Sequence, residues 1–258
     1  MWQEDGWGWR ARVGVLTPHA DIGPESEFRA MAPEGVSIHA ARVPLALAPG
    51  GMDANSFAVA QARAFADPPA VDEAAALLAA APLSAIAYCF TSSSYARGAA
   101  DDVALKARLE ARASGIPVVI TALAAVLALR AVAAQRVTLI DPPWFAAEVT
   151  ALGVEYFRGH GFDVVYAAPA GLPSGQRLVH PGLVYEWARA HVPASAEAVF
   201  FGGNGFRTAS VIRALEEDLR RPVLTANQVA LWQALRVSGV HAPVTNYGAL
   251  FNYEPPEG

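Results

Sequence analysis

Short apolar, often β-branched runs alternate along this chain with longer Ala- and Leu-rich stretches in which apolar residues recur at helical spacing. That alternation predicts parallel strands joined by crossover helices, an α/β fold. Strands are predicted at Arg12–Thr17, Val36–Val43, Ala85–Phe90, Pro117–Ile120, Arg136–Asp141, Asp163–Ala167, Ala198–Phe201 and Pro222–Thr225. Helices are predicted at Val71–Ala81, Asp101–Ser114, Ala122–Ala134, Ala146–His160, Gly182–His191, Thr208–Arg220 and Asn227–Ser238, all free of interior proline.

The strands also repeat. Arg12-Val13-Gly14-Val15-Leu16-Thr17-Pro18 corresponds to Arg136-Val137-Thr138-Leu139-Ile140-Asp141-Pro142, an offset of 124 residues. Ala85 to Thr91 corresponds to Ala198 to Asn204 at 113, and Ile116 to Val119 corresponds to Arg221 to Leu224 at 105. The shrinking offset reflects longer loops in the first half. Two pseudo-symmetric, four-stranded, Rossmann-like halves follow, residues 1–120 and 121–227, with 228–258 packing back on the first. Such folds bind ligands at the carboxyl ends of their strands, which places the expected site in the cleft between the halves.

Composition narrows the function classes. A formal net charge of −5 with Lys106 as the sole lysine offers no basic cluster for a phosphate backbone, so no nucleic-acid partner is expected. Cys89 is the only cysteine, which excludes an internal disulfide, and His160, His180, His191 and His241 have no metal-ligand spacing. The acidic start Met1-Trp2-Gln3-Glu4-Asp5 is unlike a signal peptide, and the apolar run from Ile116 stops at Leu129, short of the roughly 20 residues that span a bilayer. A cytoplasmic protein without membrane partner, metal or cofactor is expected. Trp2, Trp7 and Trp9 are expected to pack on a neighbouring surface, including that of a second copy in a homo-oligomer.

Three groups of residues carry candidate chemistry. Phe90-Thr91-Ser92-Ser93-Ser94-Tyr95 follows an apolar strand, where successive N–H groups and hydroxyls form a turn suited to a carboxylate; a plain Ser/Thr cap is the alternative. At the equivalent place in the second half, Gly202-Gly203-Asn204-Gly205-Phe206-Arg207 allows close backbone approach to a ligand, with Arg207 as a bidentate clamp. Its spacing matches neither a dinucleotide fingerprint nor a phosphate-binding loop. The ends of the first strand in each half, Pro18-His19-Ala20-Asp21 and Asp141-Pro142-Pro143-Trp144, point His19, Asp21, Asp141 and Trp144 toward the cleft. His19, an imidazole at the end of the first strand, is the leading acid/base candidate by position.

With these residues in order, the chain resembles the maleate cis-trans isomerase and arylmalonate decarboxylase branch of the aspartate/glutamate racemase superfamily. The resemblance runs from Val13-Gly14-Val15-Leu16-Thr17-Pro18-His19 through Thr91-Ser92-Ser93, His160-Gly161-Phe162 and Gly203 to Thr208, to Thr225-Ala226-Asn227-Gln228. It implies two α/β halves with the active site between them, and cofactor-independent chemistry on a small carboxylate or dicarboxylate, as isomerase, decarboxylase or other lyase. In that family one or two cysteines act as base or nucleophile. The matching positions here are Phe90 and Gly203, so the resemblance implies an enolate-like intermediate held without the cysteine pair. Thr91, Ser92, Ser93, Asn204 and Gly205 match the anion-binding turns, and Phe90, Pro18, Gly202, Gly203 and Arg207 complete the expected substrate contacts. His19, Asp141 and Tyr95 are the expected acid/base groups. Cys89 lies one residue before the family position, and a one-residue step turns a strand side chain to the other face.

Overall fold

The computed structural model describes residues 5–45 and 58–256, so Trp2 and parts of the predicted first half and C-terminal segment lie outside the described residues. Its eight strands form two four-stranded, all-parallel sheets. The first contains β1 (Ala11–Pro18), β2 (Val36–Val43), β3 (Ala85–Tyr88) and β4 (Val118–Ile120) in the order β2-β1-β3-β4. The second contains β5 (Arg136–Asp141), β6 (Asp163–Pro169), β7 (Ala198–Phe201) and β8 (Val223–Thr225) in the order β6-β5-β7-β8. The ladders repeat with the sequence. Val13 pairs with Ala85 and, at the repeat offsets, Val137 pairs with Ala198. Ile86 likewise pairs with Val118, and Val199 with Val223. The outer pairs differ, because a bulge between Val137 and Thr138 shifts β5 against β6.

The helices are α1 (Gly23–Met31), α2 (Val59–Ala64), α3 (Ala70–Leu78), α4 (Thr91–Arg97), α5 (Ala99–Arg112), α6 (Thr121–Ala131), α7 (Ala147–Gly159), α8 (Pro181–His191), α9 (Ile212–Leu219) and α10 (Ala226–Val237). Of these, α1, α2 and α4 are absent from the sequence-based prediction. The stretch predicted as a helix from Thr208 opens instead with a single 3₁₀ turn, Ala209–Val211, before α9. In α4 the run Thr91-Ser92-Ser93-Ser94 has weak helix propensity, and its burial between the halves overrides that preference. Pro24 in the first turn of α1 is a helix-start signal that the mixed pattern around it obscures.

Helix α10 leaves the last strand of the second half and packs against β1, β3 and β4 of the first, and against α1 and α6. Nine of its twelve residues are buried, and Trp232 Nε1 donates to the Tyr253 carbonyl at 2.9 Å. Helix α4 of the first half packs on α7 of the second. These two crossings bring the carboxyl ends of both sheets face to face. Among the described residues no helix is long and apolar enough to cross a membrane.

Candidate active site

Where the two sheets meet, a small cavity of about 20 Å³ is lined by Asp21, Phe90, Thr91, Ser92, Trp144, Phe145, Gly203, Asn204 and Gly205. That is room for about one water molecule. Its two sides are the repeat-equivalent turns after β3 and β7, and the equivalent residues touch. Asn204 Oδ1 accepts from the Thr91 N–H at 3.0 Å and from the Thr91 hydroxyl at 2.7 Å. Asn204 Nδ2 donates in turn to Asn227 Oδ1 at 2.9 Å, and Asn227 Nδ2 donates to Glu27 Oε2 at 2.7 Å. Glu27 Oε1 accepts the N–H groups of Thr208 and Ala209 at 2.8 and 2.9 Å. One buried chain of hydrogen bonds therefore runs from α4 across the interface to α10, α1 and the turn before α9. Burial pushes the Glu27 carboxyl up to about 7 even though these three donors pull it down.

Asp21 is the carboxylate of this cavity. Its Oδ1 accepts from the Gly23 N–H at 2.8 Å and from Gln176 Nε2 at 2.5 Å, and a methyl group on Gly205 would lie 3.0 Å from its Oδ2. Burial raises its pKa above the ordinary carboxylate value, with Gln176, the Gly23 N–H and Arg42 opposing.

The structure brings together six of the residues singled out from the sequence as substrate contacts: Phe90, Thr91, Ser92, Gly203, Asn204 and Gly205. Others lie elsewhere. Ser93 turns into the core, its Oγ 2.8 Å from the Tyr88 hydroxyl and donating to the Phe90 carbonyl. Pro18 ends β1, buried, outside the cavity lining. Arg207 is exposed and outside the lining of this cavity. His19 is exposed too, and its Nδ1 accepts from the Leu45 N–H at 3.1 Å, because the β1 exit carries the imidazole toward the end of β2. Asp141 and Tyr95 are fully buried beneath Gly202. A methyl group there would collide with Asp141 Oδ1 and sit 2.8 Å from the Tyr95 hydroxyl. Neither Asp141 oxygen, nor Tyr95 Oη, nor the adjacent Thr150 hydroxyl has a hydrogen-bond partner among the described residues. Burial, with no hydrogen bond to the carboxyl among the described residues to offset it, pushes Asp141 up to about 7, which keeps it largely protonated in mildly acidic solution.

A sequence model of the arylmalonate decarboxylase family matches residues 67–251. The chain belongs to that family. A maleate isomerase variant from Pseudomonas putida S16, solved with maleate, shares the fold with a TM-score of 0.81 at 20% identity, over 94% of this chain and 98% of its own. Nocardia farcinica maleate cis-trans isomerase bound to TRIS gives 0.79 at 19% identity, over 93% and 97%. An arylmalonate decarboxylase mutant in a sulfate-associated form gives 0.75 at 21%, over 93% and 99%. No curated protein matches the sequence.

In this arylmalonate decarboxylase family member the cavity wall at Gly203 has no space for a side chain. Its φ is +74°, and a methyl group there would collide with Pro142 Cγ and approach Phe145 within 3.4 Å. Cys89 is fully buried and lies outside the cavity lining, beside Thr121, and burial pushes its thiol well above the ordinary range. Among the described residues no group of three His, Cys, Asp or Glu side chains is placed to hold a metal ion. Sequence reasoning named Asp21 and Trp144 as cleft-facing but missed Phe145, Glu27 and Gln176. Glu27 has no local signal, because its partners stand some 180 to 200 positions away in the chain.

Proposed function

We propose that this protein is a cofactor-independent enzyme of the maleate isomerase and arylmalonate decarboxylase type. It acts on a small carboxylate or dicarboxylate through an enolate-like intermediate and uses no cysteine pair. The observation that carries the reading is the convergence of Asp21, Thr91, Ser92 and the Gly203 to Gly205 turn on one cavity at the interface. Thr91 presents an N–H and an O–H to one point, where Asn204 Oδ1 now sits. A substrate carboxylate or developing enolate oxygen takes that point when the Asn204 side chain turns aside, and two converging donors stabilise the negative charge. Asp21, buried and raised in pKa, moves the proton at the α-carbon. The acid/base role thus passes from His19, on the surface, to Asp21. Phe90, Trp144 and Phe145 wall the cavity, which at about 20 Å³ takes a substrate group only once the Asn204 side chain has turned aside.

The test is proton NMR in D2O with maleate, phenylmalonate and related acids. Turnover or solvent deuterium incorporation at a position next to a carboxylate is expected, and it falls by roughly 10² to 10⁴ in Asp21→Asn. Cys89→Ala keeps the activity within about twofold, since the thiol is outside the cavity. Loss of turnover in a folded Cys89→Ala variant returns the thiol to the mechanism and sinks this reading. A second reading, a carboxylate-binding protein without turnover, is favoured by the occupancy of both Thr91 donors by Asn204. It predicts line broadening of the acids with no deuterium exchange in any of them.

A further inference from the structure

A second, much larger cavity of about 570 Å³ lies beside the small one, between α1, the segment around Gln176, the turn at Gly205 to Ser210 and Tyr247. Gln176 is the partition: its Nε2 donates to Asp21 Oδ1 on the small-cavity side and to the Gly205 carbonyl at 3.2 Å. The larger volume is within the range, about 300–1,000 Å³, that holds drug-sized ligands. Its walls combine two chemistries. Ile22, 62% exposed, with Ala30 and Tyr247 supplies apolar surface, while Arg207 supplies a guanidinium with no hydrogen-bond or ion-pair partner among the described residues. The carboxylate in the floor, Glu27, is already engaged by Thr208, Ala209 and Asn227. Among the described residues Arg207 is thus a guanidinium without a hydrogen-bonded or ion-paired counter-charge at the edge of a chamber that Arg177 also lines. A planar guanidinium in that setting recruits a carboxylate in bidentate fashion.

We infer that this chamber is a ligand site in its own right, which takes an amphiphilic organic acid: a carboxylate on Arg207 and an aromatic or branched apolar body against Ile22, Ala30 and Tyr247. The inference is independent of the reaction proposed above, since no lining residue except Gly205 is shared between the two cavities. Ser26 and Ser210 flank the chamber and offer hydroxyls to the acid's second oxygen.

Isothermal titration calorimetry with phenylbutyrate tests it. One molecule binds per chain, and phenylbutyramide, without the charge, and butyrate, without the ring, each bind at least about tenfold more weakly. Arg207→Gln weakens phenylbutyrate roughly tenfold or more. Ala30→Trp, at an exposed position, fills the chamber and removes binding while the melting temperature is kept; if that variant melts early, Ser210→Trp, also exposed, serves in its place. Ser92→Ala, which alters only the small cavity, leaves the affinity unchanged. The inference is overturned by absence of binding at millimolar phenylbutyrate, by affinity that survives both Arg207→Gln and the tryptophan variant, or by loss of affinity in Ser92→Ala.

Discussion

At Asp21 a carboxylate is held at the wall of a water-sized cavity by one backbone N–H and one amide side chain. If it moves the proton, Asp21→Asn lowers turnover by roughly 10² to 10⁴ while leaving the fold intact, since the amide keeps the shape; matching melting curves with unequal initial rates are the check. Gly203 is informative in the opposite sense. Placing a thiol at this position with Gly203→Cys forces a Cβ into Pro142 at a left-handed backbone position. The variant is expected to lose roughly 1–3 kcal/mol by chemical denaturation and to gain no activity. Asn204→Ala deletes the carboxamide that joins Thr91 to Asn227, leaving the Thr91 N–H and hydroxyl without their acceptor. A loss of about 1–3 kcal/mol is expected, partly recovered when a carboxylate such as acetate is added and fills the vacated point. Absence of any acetate effect on the melting temperature of Asn204→Ala argues that Thr91 does not bind anions.

The strands were the most legible elements, because buried parallel strands announce themselves as short apolar runs and the second half repeats the first. The repeat also pointed to the two turns that line the cavity without reference to contacts: Thr91 and Asn204 occupy equivalent places and meet in space. Helix α4 was illegible for the reason that makes it useful, since a Ser/Thr-rich segment reads as loop until burial between halves is known. The role of Glu27 was equally hidden, because a hydrogen bond to Asn227 has no local periodicity. At the start of α10, by contrast, Thr225-Ala226-Asn227-Gln228 spells a capping box, and Thr225 Oγ1 accepts from the Gln228 N–H while Gln228 Oε1 accepts from the Thr225 N–H. Thr225→Ala is expected to cost about 1 kcal/mol, read as a melting temperature lower by roughly 2–4 °C.

Buried acids in both halves, of which Glu27 and Asp102 also bridge them, give the whole molecule a pH dependence. Asp141 rises from an ordinary value of 3.8 to about 7, Asp102 from 3.8 to about 6 and Glu27 from 4.5 to about 7. Between roughly pH 4 and pH 7 the folded chain keeps protons that the unfolded chain has released, so stability is greatest at the acidic end of that window and falls as pH rises through it. Glu110 and Glu197, lowered from 4.5, act oppositely but only below that window. Melting temperatures measured from pH 5 to 8 are expected to decline, and Asp141→Asn to flatten the decline and raise the value at pH 8; a wild-type curve that climbs across this range contradicts the assignment. The contact between Thr91 and Asn204 has a consequence of another kind. In a dimer of identical halves, a residue on the symmetry axis faces its own copy, and both ends of the cleft are alike. Joined in one chain, the equivalent positions have diverged into a donor on one side and a carboxamide on the other. The cleft has a head and a tail, so if the proposed substrate is a symmetrical diacid its two ends meet unlike surroundings, which is the condition for telling apart groups that are mirror images of one another in free solution.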